Sequence, residues 1–321
     1  MTVLIVALIY TAGSIYYVYR FRGRMRYERF SQYLRKSWPV FAPFNCFLYA
    51  FTHAHARKSV TDTLHFPGTN LLRENWQIIR NEALALDKQG VFESIVKEGS
   101  PGFYDVGFRT FYKHGWSKFY LTWYGYNHPS AQRLCPQTTA LLEKVPGIKG
   151  AMFSLLPAGA SLTLHADPLA CSLRYHLGLK TPQSDSCFIN VDGVTTTWRD
   201  GEDFIFDETR PHYVHNHSEA PRLILMCDIE RPMYLPGRLF NRLYNQLANL
   251  TVVANTEEDA RGAASALFDR LNPVLKRGKR LKSTNKALYN TLKWAINGSL
   301  LMFIFGSLFT VSAAVDYLTF N

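Results

Sequence analysis

The stretch AMFSLLPAGASLTLHADPLACSLRYHLGL (151–179) decides the fold. It holds three short runs of strand-forming residues, Ala151–Leu156, Ser161–Asp167 and Ser172–Leu179, separated by brief breaks. Four more runs follow at close spacing: Cys187–Val191, Thr195–Trp198, Asp203–Phe206 and Arg222–Ile229. Asp192-Gly193, between two of them, is a strong hairpin signal. Short strands crowded in this way predict a jelly roll or another double-sheet barrel.

Helical patterns flank the barrel, so the expected class is mainly β with flanking helices. Trp76, Ile79, Ala83 and Leu86 recur at helical spacing within Leu71–Leu86. WSKFYLTWYGY (116–126) is strand-like and ends before Pro129, and a helix is expected over about Ser130–Leu142. After Pro236, Leu239, Leu243, Leu247 and Leu250 share one helical face, which suits either the barrel or a bilayer.

The chemistry centres on His165-Ala166-Asp167. Residues two apart on a strand point the same way, so this pair can grip one metal. Two imidazoles and one carboxylate on one face of an iron(II) ion leave positions open for a chelating keto acid and dioxygen. His212, 47 residues on, supplies the second imidazole, although His215 and His217 stand close enough in sequence to replace it. Arg222, ten residues later, could clamp the far carboxylate of 2-oxoglutarate bidentately. By alternation, Arg174 and His176 share one face of Ser172–Leu179, away from Leu173, Tyr175, Leu177 and Leu179. An Arg and a His are costly on a dry face, so that face should line a polar cavity holding an anion. A tripeptide alone is weak, and a surface His and Asp beside the turn at Pro168 would look the same. The second His and the Arg tip the balance toward a metal.

The net charge of +11 over 321 residues invites a nucleic-acid partner, but its distribution argues against one. Residues 20–36 carry seven basic groups against Glu28 alone, and residues 276–293 carry seven more with no acid; without these segments the rest stands at −2. Each basic run adjoins a charge-free apolar stretch, residues 1–19 and Trp294–Val315. This is the pattern of membrane anchors with positive flanks inside. The expected organisation is therefore an N-terminal transmembrane anchor (1–19), a basic juxtamembrane segment (20–70), a catalytic domain (71–236), a helical basic region (237–293) and a C-terminal transmembrane helix (294–315). The body, residues 20–293, would then lie in the cytoplasm with both termini outside. PVFAPFNCFLYAF (39–51) is too short to span and suits either the core or the bilayer surface. The five cysteines are odd in number and lack Cys-x-x-Cys spacing, which argues against a disulfide framework.

HADPLACSLRYHLGL (165–179), FINVDG (188–193), WRDGEDFIFDET (198–209), His212 and RLILMCDIERP (222–232) together resemble the aspartyl/asparaginyl β-hydroxylase family. More narrowly, they are similar to its bacterial lipid A 2-hydroxylase branch. The resemblance implies a double-stranded β-helix enzyme that uses iron(II), 2-oxoglutarate and O2 and releases succinate and CO2. Its implied target is C2 of a secondary acyl chain of lipid A. It implies metal ligation by His165, Asp167 and His212 and a cosubstrate clamp at Arg222 helped by Ser154. Arg174 and His176 would then lie near the other end of the cosubstrate. Animal relatives carry glycine where this chain has Asp167, so the complete triad is a point of departure from them. Two other readings compete. One keeps the chemistry on an ornithine-type lipid or on an aspartyl or asparaginyl side chain; the other is a cupin-like binding module without turnover.

Overall fold

In the computed structural model, which describes residues 2–103, 105, 107, 108, 115–292, 295 and 299, two antiparallel sheets face each other. The strands are β1 (Val60–Thr61), β2 (Ser117–Trp123), β3 (Tyr126–Asn127), β4 (Ile148–Leu156), β5 (Ser161–His165), β6 (Ser172–Lys180), β7 (Cys187–Val191), β8 (Val194–Thr197), β9 (Asp203–Phe206), β10 (His212–Asn216) and β11 (Arg222–Glu230). The larger sheet runs β1-β9-β6-β11-β4-β2-β3 and the smaller β5-β10-β7-β8. This is the expected jelly-roll arrangement. The Asp192-Gly193 hairpin joins β7 to β8, with both residues at positive φ (52° and 90°), as a tight two-residue turn requires.

Alternation along the larger sheet separates two cores. Leu173, Tyr175, Leu177 and Leu179 of β6 face outward with Leu223, Leu225 and Cys227 of β11. They pack beneath α4 (Thr69–Glu74), α5 (Trp76–Lys88), α6 (Val91–Ile95), α7 (Pro129–Leu134) and α8 (Pro136–Glu143). Ile79, Ala83 and Leu86 of α5 are fully buried there, so the helical periodicity around Trp76 marks the core face. Each such large aliphatic side chain contributes roughly 1.5–3 kcal/mol. The opposite face of the large sheet meets the small sheet through Met152, Leu156, Ile189, Val191, Phe206, Val214, Ile224 and Met226.

Boundaries differ from expectation where local chemistry intervenes. The helix expected over Ser130–Leu142 is two helices, because Pro136 offers no N–H to carry the first one onward. The helix expected from Leu71 breaks at Asn75, whose side chain caps Leu71 O at 2.8 Å. The strand expected over Ser161–Asp167 stops at His165; Ala166 N donates to Lys36 O and Asp167 N to Glu208 O.

The N-terminal expectation needs correction. Residues Thr2–Arg20 form a helix, α1, but among the described residues no helix is long and apolar enough to cross a membrane. Tyr10, Tyr16, Tyr17, Tyr19, Gly13 and Ser14 dilute its apolar character. It lies along α3 (Ala42–Phe51), with Tyr10 Oη donating to Pro43 O at 2.9 Å and Ser14 buried. The expected C-terminal span, Trp294–Val315, lies outside the described residues apart from Ala295 and Ser299. Segment 39–51 splits the two readings given to it: Ala42, Asn45 and Leu48 are buried, while Val40, Phe44 and Phe47 are exposed.

Two buried carboxylates fasten the N-terminal segment to the barrel. Asp192 accepts from Arg24 N (2.5 Å) and Met25 N (2.8 Å). Asp207 takes Arg22 Nη2 at 2.6 Å and Arg231 Nη2 at 2.7 Å, with Arg210 Nε at 3.7 Å. Burial alone would raise the Asp207 carboxyl, but Arg231, Arg22 and Arg210 outweigh it and hold it far below the ordinary carboxylate range. Its folded pKa is depressed, so its contribution to stability is present above the unfolded pKa near 3.8 and is lost as pH falls below that. Asp207→Ala should cost roughly 3–5 kcal/mol in urea unfolding at neutral pH, because it strands buried guanidiniums. The gap to the unaltered protein should narrow on acidification; a pH-independent difference would contradict this role.

Candidate metal centre and cosubstrate pocket

Strand register brings the two candidate imidazoles together. His165 ends β5 directly opposite His212, which begins β10, and their ring centroids are 4.2 Å apart. Their separation of 47 positions is therefore the length of the chain excursion through β6–β9. Asp167 joins them from the turn after β5 rather than from the strand, its backbone N–H donating to Glu208 O and its carboxylate held by Arg174. Ligand atoms of His165, Asp167 and His212 all lie within 4.8 Å of one another. Among the described residues these three form a group able to hold a metal ion.

The ring nitrogens are sorted for ligation. His165 Nδ1 is 2.8 Å from Thr163 O and His212 Nδ1 is 2.9 Å from Arg210 O. With those N–H groups donating to carbonyls, each Nε2 presents a lone pair to the shared space. Burial pushes both imidazoles down to about 4, and for His165 the neighbouring His212 adds to it. Both are neutral at pH 7, as metal ligation needs. β10 also separates the alternatives. His212, Val214 and Asn216 point inward, whereas His215 stacks on His217 at 4.8 Å, away from the triad.

Arg222 stands on the inner face of β11, almost wholly buried, and meets no carboxylate among the described residues. Its Nη2 lies 3.4 Å from Ser154 Oγ, and its guanidinium packs over the Trp198 ring at 4.3 Å. Burial pushes its pKa down to about 10, which leaves it charged. Its Nε has no hydrogen-bond partner among the described residues. Nearby, His176 Nδ1 accepts from Trp198 Nε1 at 3.2 Å, while its Nε2 is buried without a partner. A buried, unbalanced cation beside unfilled donors is costly unless an anion completes it. A dicarboxylate chelated at the triad and reaching Arg222 fits that demand, so the residues present suit iron(II) and 2-oxoglutarate.

Arg174 stands on the inner face beside Asp167 of the triad. Three carboxylates occupy it: Glu208 (Nε–Oε2 2.6 Å), Asp228 (Nε–Oδ1 3.1 Å) and Asp167 (Nη2–Oδ2 3.1 Å). It thus orients the second oxygen of the metal-facing Asp167. Burial, with Glu208 close by, pushes Asp228 up to about 7. Sequence reasoning missed Glu208 and Asp228. Asp228 was within reach, since alternation puts it on the face of Arg222, Ile224 and Met226. Glu208, in the loop after β9, carried no periodic signal.

The family model described as Aspartyl/Asparaginyl beta-hydroxylase matches residues 73–232. The chain is 35% identical over 137 residues to the ornithine lipid ester-linked acyl 2-hydroxylase of Rhizobium tropici, covering 42% of this chain and 49% of that protein. It is 32% identical over 176 residues to the aspartyl/asparaginyl beta-hydroxylase of Homo sapiens, covering 51% of this chain and 21% of that protein. The chain thus matches half or less of the length of these curated relatives. Among solved structures, a Pseudomonas putida prolyl-4-hydroxylase aligns over 57% of this chain and 98% of that one, at 20% identity and a TM-score of 0.36.

Asp167→Ala should weaken ferrous binding by more than the roughly 10–100-fold that losing an outer partner costs. Anaerobic titration with ferrous ion measures it, and near-UV circular dichroism should show the barrel intact. Affinity equal to that of the unaltered protein would remove Asp167 from the ligand set.

Proposed function

The chain belongs to the aspartyl/asparaginyl β-hydroxylase family, and from that premise we propose that it is an iron(II)- and 2-oxoglutarate-dependent dioxygenase that hydroxylates C2 of a secondary acyl chain of lipid A. The observation that carries the chemistry is the unbalanced Arg222 on the inner face of β11 beside the group of His165, Asp167 and His212, with His176 in electrostatic reach of both Arg222 and His212. Iron(II) with 2-oxoglutarate and O2 supplies the power to oxidise an unactivated C–H bond, leaving succinate and CO2.

The chain's own residues do the positioning. His165, Asp167 and His212 would hold the metal, with Thr163 O and Arg210 O locking the imidazoles in the ligating tautomer. Arg174 keeps one Asp167 oxygen turned away, so the other faces the metal. Arg222 and Ser154 would take the distal carboxylate, and Trp116 holds the Ser154 hydroxyl through Nε1 at 2.6 Å. His176 Nε2 is available as a further donor. Met226, Ile224, Phe206 and Val214 exclude water around them, which strengthens every charged contact inside.

A lipid substrate is favoured by the outer surface. On α9 (Leu235–Asn249), Leu235, Leu239, Leu243 and Leu247 are exposed, and Phe44 and Phe47 of α3 continue the apolar band beside Phe240. Such a band, near a basic segment, suits a monotopic seat on an anionic membrane. We place that seat on the cytoplasmic side of a bacterial inner membrane, where the basic runs 20–36 and 276–293 would meet anionic lipid. The name of the Rhizobium tropici relative supports an acyl lipid as the substrate class.

Two results test this reading. Arg222→Ala should weaken 2-oxoglutarate binding by roughly 2–5 kcal/mol, the cost of removing one partner of a buried charge pair; an unchanged affinity by calorimetry would point to another clamp. Mass spectrometry of lipids from cells with and without the gene should show one added oxygen on a lipid A acyl chain. The oxygen appearing on an ornithine-type lipid would move the substrate, and on an aspartyl or asparaginyl side chain would overturn the lipid assignment.

A further inference from the structure

Outside the metal chamber, a cavity of about 680 Å³ opens between α1, α3 and the barrel. Four guanidiniums line it: Arg22, Arg57, Arg210 and Arg231. Asp207 and Asp192 stand behind them, Asp207 paired with Arg22 and Arg231 and Asp192 with Arg210. Arg57 meets no carboxylate among the described residues; it donates to Thr52 O and Ala50 O. The cluster therefore keeps an excess of two positive charges. Arg22 Nη1 and Arg231 Nε are buried without a hydrogen-bond partner among the described residues, and Arg210 Nε has only the long 3.7 Å contact to Asp207. Such donors are costly to leave unmade.

The remaining walls differ in character. Tyr17 from α1, Phe21 just after it and Tyr49 from α3 give an aromatic side, with the Arg22 guanidinium 3.5 Å from the centroid of the Tyr49 ring. A polar floor with an excess of two charges beneath aromatic walls matches an amphiphile with a dianionic head. Arginine forks bind phosphate oxygens in this way. Arg210 links the cavity to the metal chamber, because its carbonyl holds His212 Nδ1 while its guanidinium lines the cavity. Arg22 also lines a narrow gap of about 10 Å³ that reaches Ala166 and Asp167.

We propose that this cavity is a second binding site, which takes the phosphate monoester headgroup of a membrane amphiphile beside the metal centre. The identity of that amphiphile as the hydroxylation substrate rests on the lipid reading above. The phosphate site itself does not.

Vesicle co-sedimentation of the full chain tests it, comparing phosphatidylcholine vesicles carrying phosphatidic acid with vesicles of equal surface charge carrying phosphatidylserine. Phosphatidic acid should be preferred. Arg57→Gln should reduce that preference about tenfold, as expected for one charge-assisted contact. Gly13→Leu should reduce it by filling the cavity, since a side chain there meets nothing within 4 Å. Both variants should keep the 2-oxoglutarate affinity of the unaltered protein. Equal binding to the two vesicle types, or variants that bind phosphatidic acid as the unaltered protein does, would overturn the proposal. Thermal stabilisation by inorganic phosphate without preference for phosphatidic acid would overturn the headgroup assignment in favour of a soluble phosphate. Should 2-oxoglutarate fail to bind while the phosphatidic acid preference holds, the dioxygenase reading fails and this one stands.

Discussion

The antiparallel pairing of β5 with β10 is the constraint on which the site depends. Its register sets His165 opposite His212, so the two imidazoles meet at one end of the smaller sheet. A slip of one residue would turn His212 outward and bring Tyr213 in, because side chains alternate along a strand. The register is held from both sides. β7 pairs with β10 over five residues, and Asn216 anchors the far end by donating to Pro157 O and Ala220 O. With the strands fixed, Asp167 needs only a short turn to reach the imidazoles, and its backbone N–H, donating to Glu208 O, holds that turn.

Charge balance inside the barrel divides the two arginines. Arg174 sits among Glu208, Asp228 and Asp167, so negative charge exceeds positive around it. A divalent cation at Asp167 would relieve that excess. Arg222 has the reverse imbalance, with aromatic rings and a serine about it and no acid among the described residues. A dianion spanning the chamber would relieve this one. The site is thus polarised, with one end wanting a cation and the other an anion. An iron ion chelated by a dicarboxylate satisfies both ends together.

Much of this was legible in the sequence, and the limits have physical causes. The strands of the barrel were readable because β6 and β11 are long and strongly alternating, and the same alternation placed Arg174, His176 and Arg222 on the inner face. The position of Asp167 was reached for the wrong local reason, since strand periodicity ends at His165 and a backbone hydrogen bond takes over. The engagement of Arg174 could not be read, because Glu208 lies on a loop where no period applies. Local helix breaks at Asn75 and Pro136 were underweighted against a persistent apolar pattern. Residues 1–19 look like a span by charge alone, but their tyrosines, Gly13 and Ser14 make a helix that lies along α3.

The helix after Pro236 shows why periodicity and burial are separate facts. Leu239, Leu243 and Leu247 define its apolar face, and a helix in water would normally turn that face onto the barrel. α9 does the opposite. Its buried residues are Gly237, Asn241 and Ala248, and Asn241 Nδ2 donates to Cys171 O at 2.9 Å. Gly237 lets the helix approach Met233 closely, where a Cβ would fall 2.5 Å from the sulfur. The small and polar side is therefore specified for contact, by one hydrogen bond and one close approach, and the leucines are left for another medium. Each exposed leucine forgoes roughly 1.5–3 kcal/mol of burial within the chain. That loss is recovered where the face meets another apolar surface, which the membrane seat proposed above would supply.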